Sequence, residues 1–343
     1  MAATLLKEEY NPALHASSEP TRGQSAPTLI IGATRSGTSW LGKIFDSHPN
    51  VLYRHEPDDV IRLKALPLVC PVEDIPRYVD AAQRYVARLT AVRQIKASGT
   101  WPVFAKQFQP FPAPFVRRAL VLGVRAAQEV SPAADWLKRI AIPDLISGGR
   151  SQISYVVKSV SMLGNAALLA AALPESRIIA VFRHPCGYIA SIKRGLSDRI
   201  MGRDPSRPMV LATTRARELG FTKERYNQMP VLDCHVWAWA FLHAKLFEET
   251  AKLPNVHLLR YEDLCRDPMA QAQELLAFAH LAWAEETGNF IERSTRSSGR
   301  ERYFSLFRNP MEAATKWKRE LSADEIAHFT GIVEQVLPAG LVW

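Results

Sequence analysis

Short apolar runs separated by longer mixed stretches dominate the pattern of this chain. Five of these runs have the length of buried strands, and they lie at residues 28–32, 51–53, 155–157, 178–182 and 256–260. Between them, apolar residues recur three and four positions apart, as in residues 38–47 and 163–173, and this spacing predicts amphipathic helices. Strands that alternate with helices predict an α/β fold with a P-loop-like central parallel sheet of about five strands, flanked by helices.

Two stretches depart from this alternation. Residues from about 60 to about 150 combine arginine, lysine, aromatic residues and proline with helical spacing, which predicts a helical insertion. Residues from about 197 to about 230 are rich in arginine and predict a basic loop region. Because loops on a fixed scaffold usually carry specificity, we expect these two stretches to build the pocket for an acceptor molecule.

The ends of the chain bear on domain organisation and location. Residues 1–26 show no hydrophobic period and predict a flexible N-terminal arm, whereas residues 27–343 show no repeat and predict a single domain. Acidic residues and a proline stand where a signal peptide would be apolar. The apolar run at residues 166–174 is shorter than the ~18–20 residues that span a bilayer. We therefore expect a cytoplasmic protein without a transmembrane segment.

Composition narrows the class of protein and of partner. The chain has 343 residues, of which 47% are hydrophobic and 22% charged, and these values exclude a disordered chain or a collagen. The formal net charge of +9 favours anionic partners such as a nucleotide, a nucleic acid, a sulfated polymer or a membrane surface. The four cysteines have no zinc-site spacing, so they predict no metal site.

The first strand leads into the sequence GATRSGTSW at residues 32–40, followed by a predicted helix. Gly32 and Gly37 have the spacing of the two glycines in the P-loop pattern G-x-x-x-x-G-K-[ST]. The backbone N–H groups of such a turn and the positive end of the helix point at one spot, which indicates an anion site. Thr38 stands in the lysine position of the P-loop, and Arg35 supplies the cation of the loop instead.

Three of the predicted strands end near a cation. Besides Arg35, Lys158 follows the strand at residues 155–157, and Arg183 follows the strand at residues 178–182. The carboxyl ends of parallel strands meet at one edge of a sheet, where ligands bind. No strand ends in an acid that would hold Mg²⁺, so the pattern predicts a ligand with several anionic groups and no metal. Ser191, about two helical turns after Arg183, could bind one phosphate together with it.

These features together resemble the sulfotransferases that use 3′-phosphoadenosine 5′-phosphosulfate (PAPS), especially their carbohydrate, tyrosyl-protein and bacterial branches. The loop at residues 32–40 is similar to the family's 5′-phosphosulfate loop, and Arg183 with Ser191 is similar to its 3′-phosphate motif. Tyr261 opens a Y-E-x-L pattern, and Lys316 begins a late Lys-Trp pair. The features follow the family order across residues 28–317, whereas the R-K-G motif of the aryl and steroid branch is absent.

The resemblance implies transfer of a sulfuryl group from PAPS to a hydroxyl or amine, with release of the 3′,5′-bisphosphate (PAP) and without a metal ion. The expected acceptor is a small metabolite or a glycan, and a peptide is an alternative. The residues expected to bind the nucleotide are Arg35, Ser36, Gly37, Thr38, Ser39, Trp40, Arg183, Ser191, Tyr261 and Lys316.

The reaction also needs a group that accepts the proton of the acceptor hydroxyl. Relatives with this loop type have a glutamate after the second strand, so the resemblance implies that Glu56 is the general base. His55 is the alternative base, because its ordinary pKa suits proton transfer near neutral pH. We expect Glu56 to face Arg35 and Lys158 across room for a sulfuryl group, with both cations stabilising the charge that develops on the leaving phosphate.

Two other function classes share single features with this chain. A metal-dependent P-loop kinase or NTPase would share the glycine spacing, but it requires a lysine where Thr38 stands and an acid that holds Mg²⁺. A nucleic-acid-binding protein would share the positive charge, but the sequence has no zinc pattern, aromatic RNA-binding signature or basic helix. We therefore expect no nucleic acid partner.

Overall fold

A five-stranded parallel sheet lies at the centre of the computed structural model, which describes residues 26–61, 65–131, 133–147, 153–199, 210–296, 307 and 309–337. The strands are β1 Thr28–Gly32, β2 Val51–His55, β3 Ser154–Ser159, β4 Arg177–Phe182 and β5 Val256–Arg260. Their order across the sheet is β2-β3-β1-β4-β5, and each neighbouring pair is parallel. The predicted α/β class and the five-stranded sheet are therefore confirmed.

Helices of very different length connect and cover the strands. Those of the first half are α1 Thr38–Ser47, α2 Ile75–Ala91, α3 Ile95–Ser98, α4 Ala113–Val130 and α5 Ala166–Ala172. Those of the second half are α6 Pro185–Ser197, α7 Thr214–Glu218, α8 Lys223–Gln228, α9 Val231–Thr250, α10 Tyr261–Arg266, α11 Pro268–Phe278, α12 Glu285–Thr295, α13 Pro310–Thr315, α14 Trp317–Glu320 and α15 Ala323–Glu334. Short 3₁₀ helices lie at Pro57–Asp59, Val72–Asp74, Asp135–Arg139 and Leu163–Asn165.

Both faces of the sheet are covered, as expected for parallel strands that are apolar on both sides. Successive residues of β1 point to opposite faces. Leu29 and Ile31 pack into a core with α5, α6 and α9, whereas Ile30 packs into a second core with α1, α10 and α12. The two cores hold the carboxyl edge of the sheet in a fixed position.

Helix α9 is almost completely buried on the first of these faces. Trp239 of α9 stacks on His243 with ring centroids 4.1 Å apart, and Nδ1 of His243 lies 2.7 Å from the Trp239 carbonyl oxygen. Burial lowers the pKa of His243 from 6.5 to about 4. This histidine is therefore neutral in the folded protein at physiological pH.

The predicted insertion between β2 and β3 contains α2, α3 and α4 and is helical as expected. Part of it belongs to the core of the sheet, because Tyr85, Val86 and Leu89 of α2 pack with α5. A buried ion pair fixes the insertion to the outer strand, since Arg54 of β2 donates to Oδ2 of Asp144 at 2.7 Å. The insertion is thus anchored to the side of the sheet where β2 lies.

Several of the sequence predictions fall partly outside the described residues, among them the helical insertion, of which residues 62–64, 132 and 148–150 lie outside. The flexible arm predicted for residues 1–26 lies there except for residue 26, and so do residues 200–209 of the basic loop region. The described remainder of that region forms α7 and α8. None of the helices in the described ranges combines the length and the apolar character that crossing a bilayer requires. The cytoplasmic location stays a prediction.

Candidate active site

The carboxyl ends of all five strands bring the candidate residues to one edge of the sheet. Arg35 follows β1, Glu56 follows β2, Lys158 is the penultimate residue of β3, Arg183 follows β4 and Tyr261 follows β5. The central strand β1 pairs with β3 on one side and β4 on the other. The chain runs from β1 toward β2 and later crosses from β3 to β4, so β1 lies at the switch point where open α/β sheets bind ligands.

The loop between β1 and α1 has the geometry of an anion site. Arg35 and Gly37 adopt left-handed backbone conformations with φ of 66° and 93°. The Ser36 hydroxyl donates to the Ala33 carbonyl at 2.6 Å, which stabilises the turn from within. No described side chain caps α1, so the first N–H groups of this ten-residue helix are available to an anion.

Gly37 is required by its close contact with Tyr261. A Cβ atom at position 37 would overlap the Tyr261 ring, and the positive φ disfavours any side chain as well. Tyr261 is 2% exposed and forms the wall behind the loop. The ring is therefore too deeply buried to serve as an open platform for a nucleotide base.

Arg183 connects the loop after β1 with the C-terminal part of the chain. Its two terminal nitrogens donate to the carbonyl oxygens of Arg35 at 3.1 Å and Ala313 at 2.7 Å. The guanidinium lies 4.8 Å from the centroid of the Tyr261 ring. Arg183 is only 7% exposed. Its Nε is buried and has no hydrogen-bond acceptor among the described residues.

Ser191, which is predicted to bind one phosphate together with Arg183, lies in the same cluster and contacts Arg35. The Nε of Arg35 donates to the Ser191 hydroxyl oxygen at 2.9 Å. Because Ser191 is completely buried, the side chain of Arg35 is held against α6. The sequence therefore identified the members of the cluster, and the structure adds that Arg35 stands between Arg183 and Ser191.

The remaining predicted nucleotide contacts differ in their surroundings. Thr38 is buried beside Gly32, and Ser39 is half-buried in the first turn of α1. Lys316 is half-buried at the junction of α13 and α14, and the next residue, Trp317, stacks on His184 with centroids 4.4 Å apart. Lys316 therefore lies in the segment that contacts the residues after β4.

The side chain of Trp40 packs away from the other predicted nucleotide contacts. Its side chain is 6% exposed and packs in the core between α1 and α12, where the indole N–H donates to the Ser294 hydroxyl at 3.1 Å. A side chain held in this way is not available to a nucleotide. The tryptophan at the end of the loop motif therefore anchors α1 to the core.

Glu56 and Lys158 form an ion pair, which differs from the expected gap between them. The Lys158 ammonium group donates to Oε1 of Glu56, and the Glu56 backbone N–H donates to the Lys158 carbonyl at 2.8 Å. The contact follows from the sheet order, because β2 pairs directly with β3 and His55 is in register with Lys158. Oε2 of Glu56 has no hydrogen-bond partner among the described residues, so one carboxylate oxygen is left for a substrate.

Burial and charge set the protonation of this pair and its neighbour. Lys158 is 1% exposed, and this burial lowers its pKa, while Glu56 acts in the opposite direction. The pKa of His55 lies well below its ordinary value because of burial and the positive charge of Lys158. His55 is thus neutral at physiological pH, and its Nε2 lies 3.9 Å from Oε1 of Glu56.

Sequence reasoning missed polar residues that support the site. Tyr53 contacts His55 through its hydroxyl, and burial raises the pKa of that hydroxyl well above its ordinary value. Ser159 donates to Oδ2 of Asp58 at 2.6 Å beside the Glu56–Lys158 pair, and Glu262 accepts a bond from the His184 backbone N–H at 3.1 Å. Only their position close to the strand ends could have identified these residues in the sequence, and a search for apolar patterns does not detect such polar residues. In the described ranges, no group of three histidine, cysteine or acidic residues could hold a metal ion.

The amino-acid sequence of this chain is similar to those of known sulfotransferases. Residues 27–285 match the model of the sulfotransferase family. Carbohydrate sulfotransferase 5 of Mus musculus is 26% identical over 322 residues, which cover 87% of this chain and 76% of that protein. Carbohydrate sulfotransferase 6 of Homo sapiens is 25% identical over 327 residues, which cover 89% of this chain and 78% of that protein.

Two solved structures were also compared. The sulfotransferase domain from the Synechococcus PCC 7002 olefin synthase has a TM-score of 0.44 and 15% identity, and the match covers 92% of this chain and 96% of that chain. Mouse sulfotransferase SULT7A1 complexed with PAP has a TM-score of 0.39 and 12% identity, with 92% and 87% coverage. Because both TM-scores are low, we draw no functional conclusion from these two structures. The family match spans most of the chain, and this protein therefore belongs to the sulfotransferase family and is an enzyme with sulfotransferase activity.

Proposed function

We propose that this sulfotransferase transfers the sulfuryl group of PAPS to a carbohydrate hydroxyl and releases PAP, without a metal ion. One observation carries the proposal: Arg35, Lys158 and Arg183 lie at the same edge of the sheet as the carboxylate of Glu56. Cations at that edge suit a donor with several anionic groups, and a carboxylate suits an acceptor that must lose a proton.

The donor would be held by the loop after β1 and by Arg183. The uncapped start of α1 and the backbone N–H groups of the loop suit the 5′-phosphosulfate. The buried Nε of Arg183, which has no acceptor among the described residues, suits a second anionic group such as the 3′-phosphate. These two anchors lie close together, since Arg183 donates to the Arg35 carbonyl oxygen at 3.1 Å.

The reaction would be an in-line displacement at sulfur. The acceptor oxygen forms a bond to sulfur while the bond from sulfur to the bridging phosphate oxygen breaks, and the electron pair stays on that phosphate oxygen. Arg35 and the loop N–H groups are preorganised donors that stabilise this developing charge. Lys158, held inside β3, would stabilise the transferring group.

Glu56 would accept the proton of the acceptor hydroxyl. Its Oε1 is bonded to Lys158, and its Oε2 is the oxygen that a substrate hydroxyl could contact. The ion pair would fix the direction of the carboxylate, so the base would already be oriented when the acceptor binds. His55 is less suited to this role, because its Nε2 lies near a carboxylate oxygen.

The acceptor class is proposed from the relatives that resemble this chain. Two of them are named carbohydrate sulfotransferases and match across most of the chain. The net charge of +9 favours an anionic acceptor such as an acidic or already sulfated glycan over a neutral one. A small metabolite with a hydroxyl or amine is the alternative that the test includes.

Donor binding is tested first, with PAP as the ligand and EDTA present. PAP is expected to raise the melting temperature, since a ligand of the folded state adds stability. Arg183→Ala should weaken PAP binding by about 1.5–3 kcal/mol, because a charge-assisted hydrogen bond is lost. A shift with MgATP and none with PAP would contradict the proposed donor and favour a P-loop kinase.

Turnover is tested with PAPS against neutral sugars, acidic glycans, small phenols and amines. The expected result is sulfation of a glycan hydroxyl at a rate that EDTA leaves unchanged. Transfer to phenols or amines with no transfer to glycans would overturn the acceptor proposal and leave the donor proposal intact.

A further inference from the structure

The outward face of α4 is apolar along its whole length. Phe115 is 67% exposed, Leu122 47% and Val130 84%, and Ala119 and Ala126 between them are also exposed. Their spacing of four, three, four and four residues places the five side chains in one stripe. No charged residue interrupts this stripe, which we call the α4 stripe.

The α4 stripe is not needed to hold the helix on the protein. The opposite side of α4 provides that anchor, where Val121 packs with Ile95 and Ile142, and Arg117 donates to the Ser98 carbonyl. A helix on a protein surface usually presents charged residues to solvent. A continuous exposed apolar face on a helix that is already anchored marks an interaction surface.

Aromatic residues extend this surface beyond the helix. Phe111, just before α4, is 86% exposed and packs edge-to-face with Phe115. Trp101 and Trp136 are 48% and 65% exposed in the same insertion. Large aromatic side chains are enriched in the centres of protein–protein interfaces and carry much of their binding energy.

The order of residues along the α4 stripe is self-complementary. Phe115 and Val130 are placed symmetrically about the bond between residues 122 and 123, and so are Ala119 and Ala126. Two copies of α4 that meet antiparallel at this centre would therefore pair large residues with large ones and small with small. A Cβ at Gly123 would have no atom within 4 Å, so the centre leaves room for the second helix.

The charges beside the α4 stripe fit the same arrangement. Arg118 and Glu129 are eleven residues apart, about three helical turns, so they lie on the same flank of α4. Both are exposed, and neither makes an ion pair with any residue that the structure describes. In the antiparallel pair, position 118 lies opposite position 127 of the partner subunit. The long side chain of each Arg118 would therefore reach Glu129 of the partner subunit two residues, about 3 Å, further along the helix, and the two-fold axis would form this contact twice.

We propose that this protein forms a two-fold symmetric dimer in which the α4 stripes of two copies pack antiparallel against each other. This inference goes beyond the proposed function and does not depend on it. An anionic membrane is the other occupant that an apolar face of a basic protein could accept. Anionic lipid would attract Arg118 but repel Glu129, whereas the second copy offers each of them an opposite charge, so the charges favour the dimer.

The mass of the full chain in solution tests the proposal, measured by sedimentation at micromolar concentration. The wild-type protein is expected to be a dimer and Leu122→Glu a monomer, because two glutamates would meet at the symmetry axis. Leu219→Glu, at a leucine that is 39% exposed outside the α4 stripe, is the control and should stay dimeric. Leu122→Glu and Leu219→Glu should both melt at the temperature of the folded wild-type subunit. This result would exclude misfolding as the cause of a monomer.

A charge exchange tests the geometry. Arg118→Glu and Glu129→Arg should each weaken the dimer by about tenfold, since each replaces two attractive contacts with two repulsive ones. The double variant should restore the wild-type affinity. A monomeric wild-type protein overturns the proposal, and so does a monomer that binds phosphatidylserine vesicles through Leu122. Dimers that Leu122→Glu leaves intact would also overturn it.

Discussion

The Tyr53 hydroxyl lies 3.0 Å from Nδ1 of His55. Tyr53 keeps its proton, because burial raises the pKa of the hydroxyl, and it can donate that proton to Nδ1. The neutral imidazole then carries its own hydrogen on Nε2, which faces Oε1 of Glu56 at 3.9 Å. The opposite tautomer would set a nitrogen lone pair against a carboxylate oxygen. The imidazole therefore has no free lone pair for an acceptor hydroxyl.

Glu56→Gln is expected to lower kcat by ~10²–10⁴-fold, because general-base help has that size and the amide cannot accept the proton. His55→Asn should lower kcat by less than about tenfold, since the Nδ1 lone pair of the histidine is taken by the Tyr53 hydroxyl. The measurement is steady-state turnover of PAPS, with PAP affinity determined in parallel. A larger loss in His55→Asn than in Glu56→Gln would assign the base to the histidine.

The free energy of unfolding of Glu56→Gln should depend on pH in a way that differs from the wild-type protein. Burial lowers the pKa of Lys158 and Glu56 raises it, so removing the carboxylate lowers that pKa further. A lysine whose pKa is lower in the folded state binds fewer protons there than in the unfolded chain. Stability therefore increases as the pH rises between the two values. Urea denaturation should show the deficit of Glu56→Gln shrinking as the pH rises toward the ordinary lysine pKa of about 10.4. A constant deficit would contradict the buried ion pair.

Gly37→Ala is expected to lower both stability and PAP affinity, because the new methyl group overlaps the Tyr261 ring and moves the loop. Gly220→Ala is a matched control, since Gly220 also has a positive φ, of 59°, but has no atom within 4 Å of its Cβ position. The control should lose about 1–2 kcal/mol of stability from the backbone alone and keep PAP binding. Equal losses of PAP affinity in both variants would mean that the contact with Tyr261 is unimportant.

We expect the protein to lose stability in mild acid because of the buried His243. The pKa of this buried histidine is about 4 in the folded protein, against 6.5 ordinarily, so the unfolded chain binds more protons between these values. Stability is then lost as the pH falls below about 6.5, and this residue alone should contribute about 2 kcal/mol between pH 7 and pH 5. His243→Phe keeps the stack on Trp239 and should reduce the pH dependence by that amount in urea titrations. Parallel curves for the two proteins would contradict the low pKa.

The sequence predicted the elements best where apolar residues define them. The bounds of β1, α1 and β5 agree with the structure. Strand β1 is a short apolar run that is buried throughout, and α1 carries apolar residues at helical spacing. Strand β3 extends from Ser154 to Ser159, although only residues 155–157 in its middle are apolar. Its last residues are polar because they serve the edge of the sheet, and hydrophobic patterning cannot extend a strand into such residues.

The candidate site was predicted as a set of residues and not as a set of contacts. The contact between Glu56 and Lys158 depends on β2 pairing with β3, and the order of strands in the sheet is not written in any local pattern. The bond from Arg35 to Ser191 depends in the same way on α6 packing beside β1. The core position of the Trp40 side chain was not predictable either, because the loop motif identifies a position, whereas the direction of the side chain is set by α12.

The bond from Arg183 to the Ala313 carbonyl joins residues 130 positions apart in the chain. During synthesis, the phosphate loop and all five strands leave the ribosome before the residue that completes this bond. The nascent chain can therefore form its sheet early, but Arg183 acquires its final partner only when α13 has emerged. In the proposed donor site, the anchor at Arg183 would thus be completed last, after the loop and the sheet that surround it.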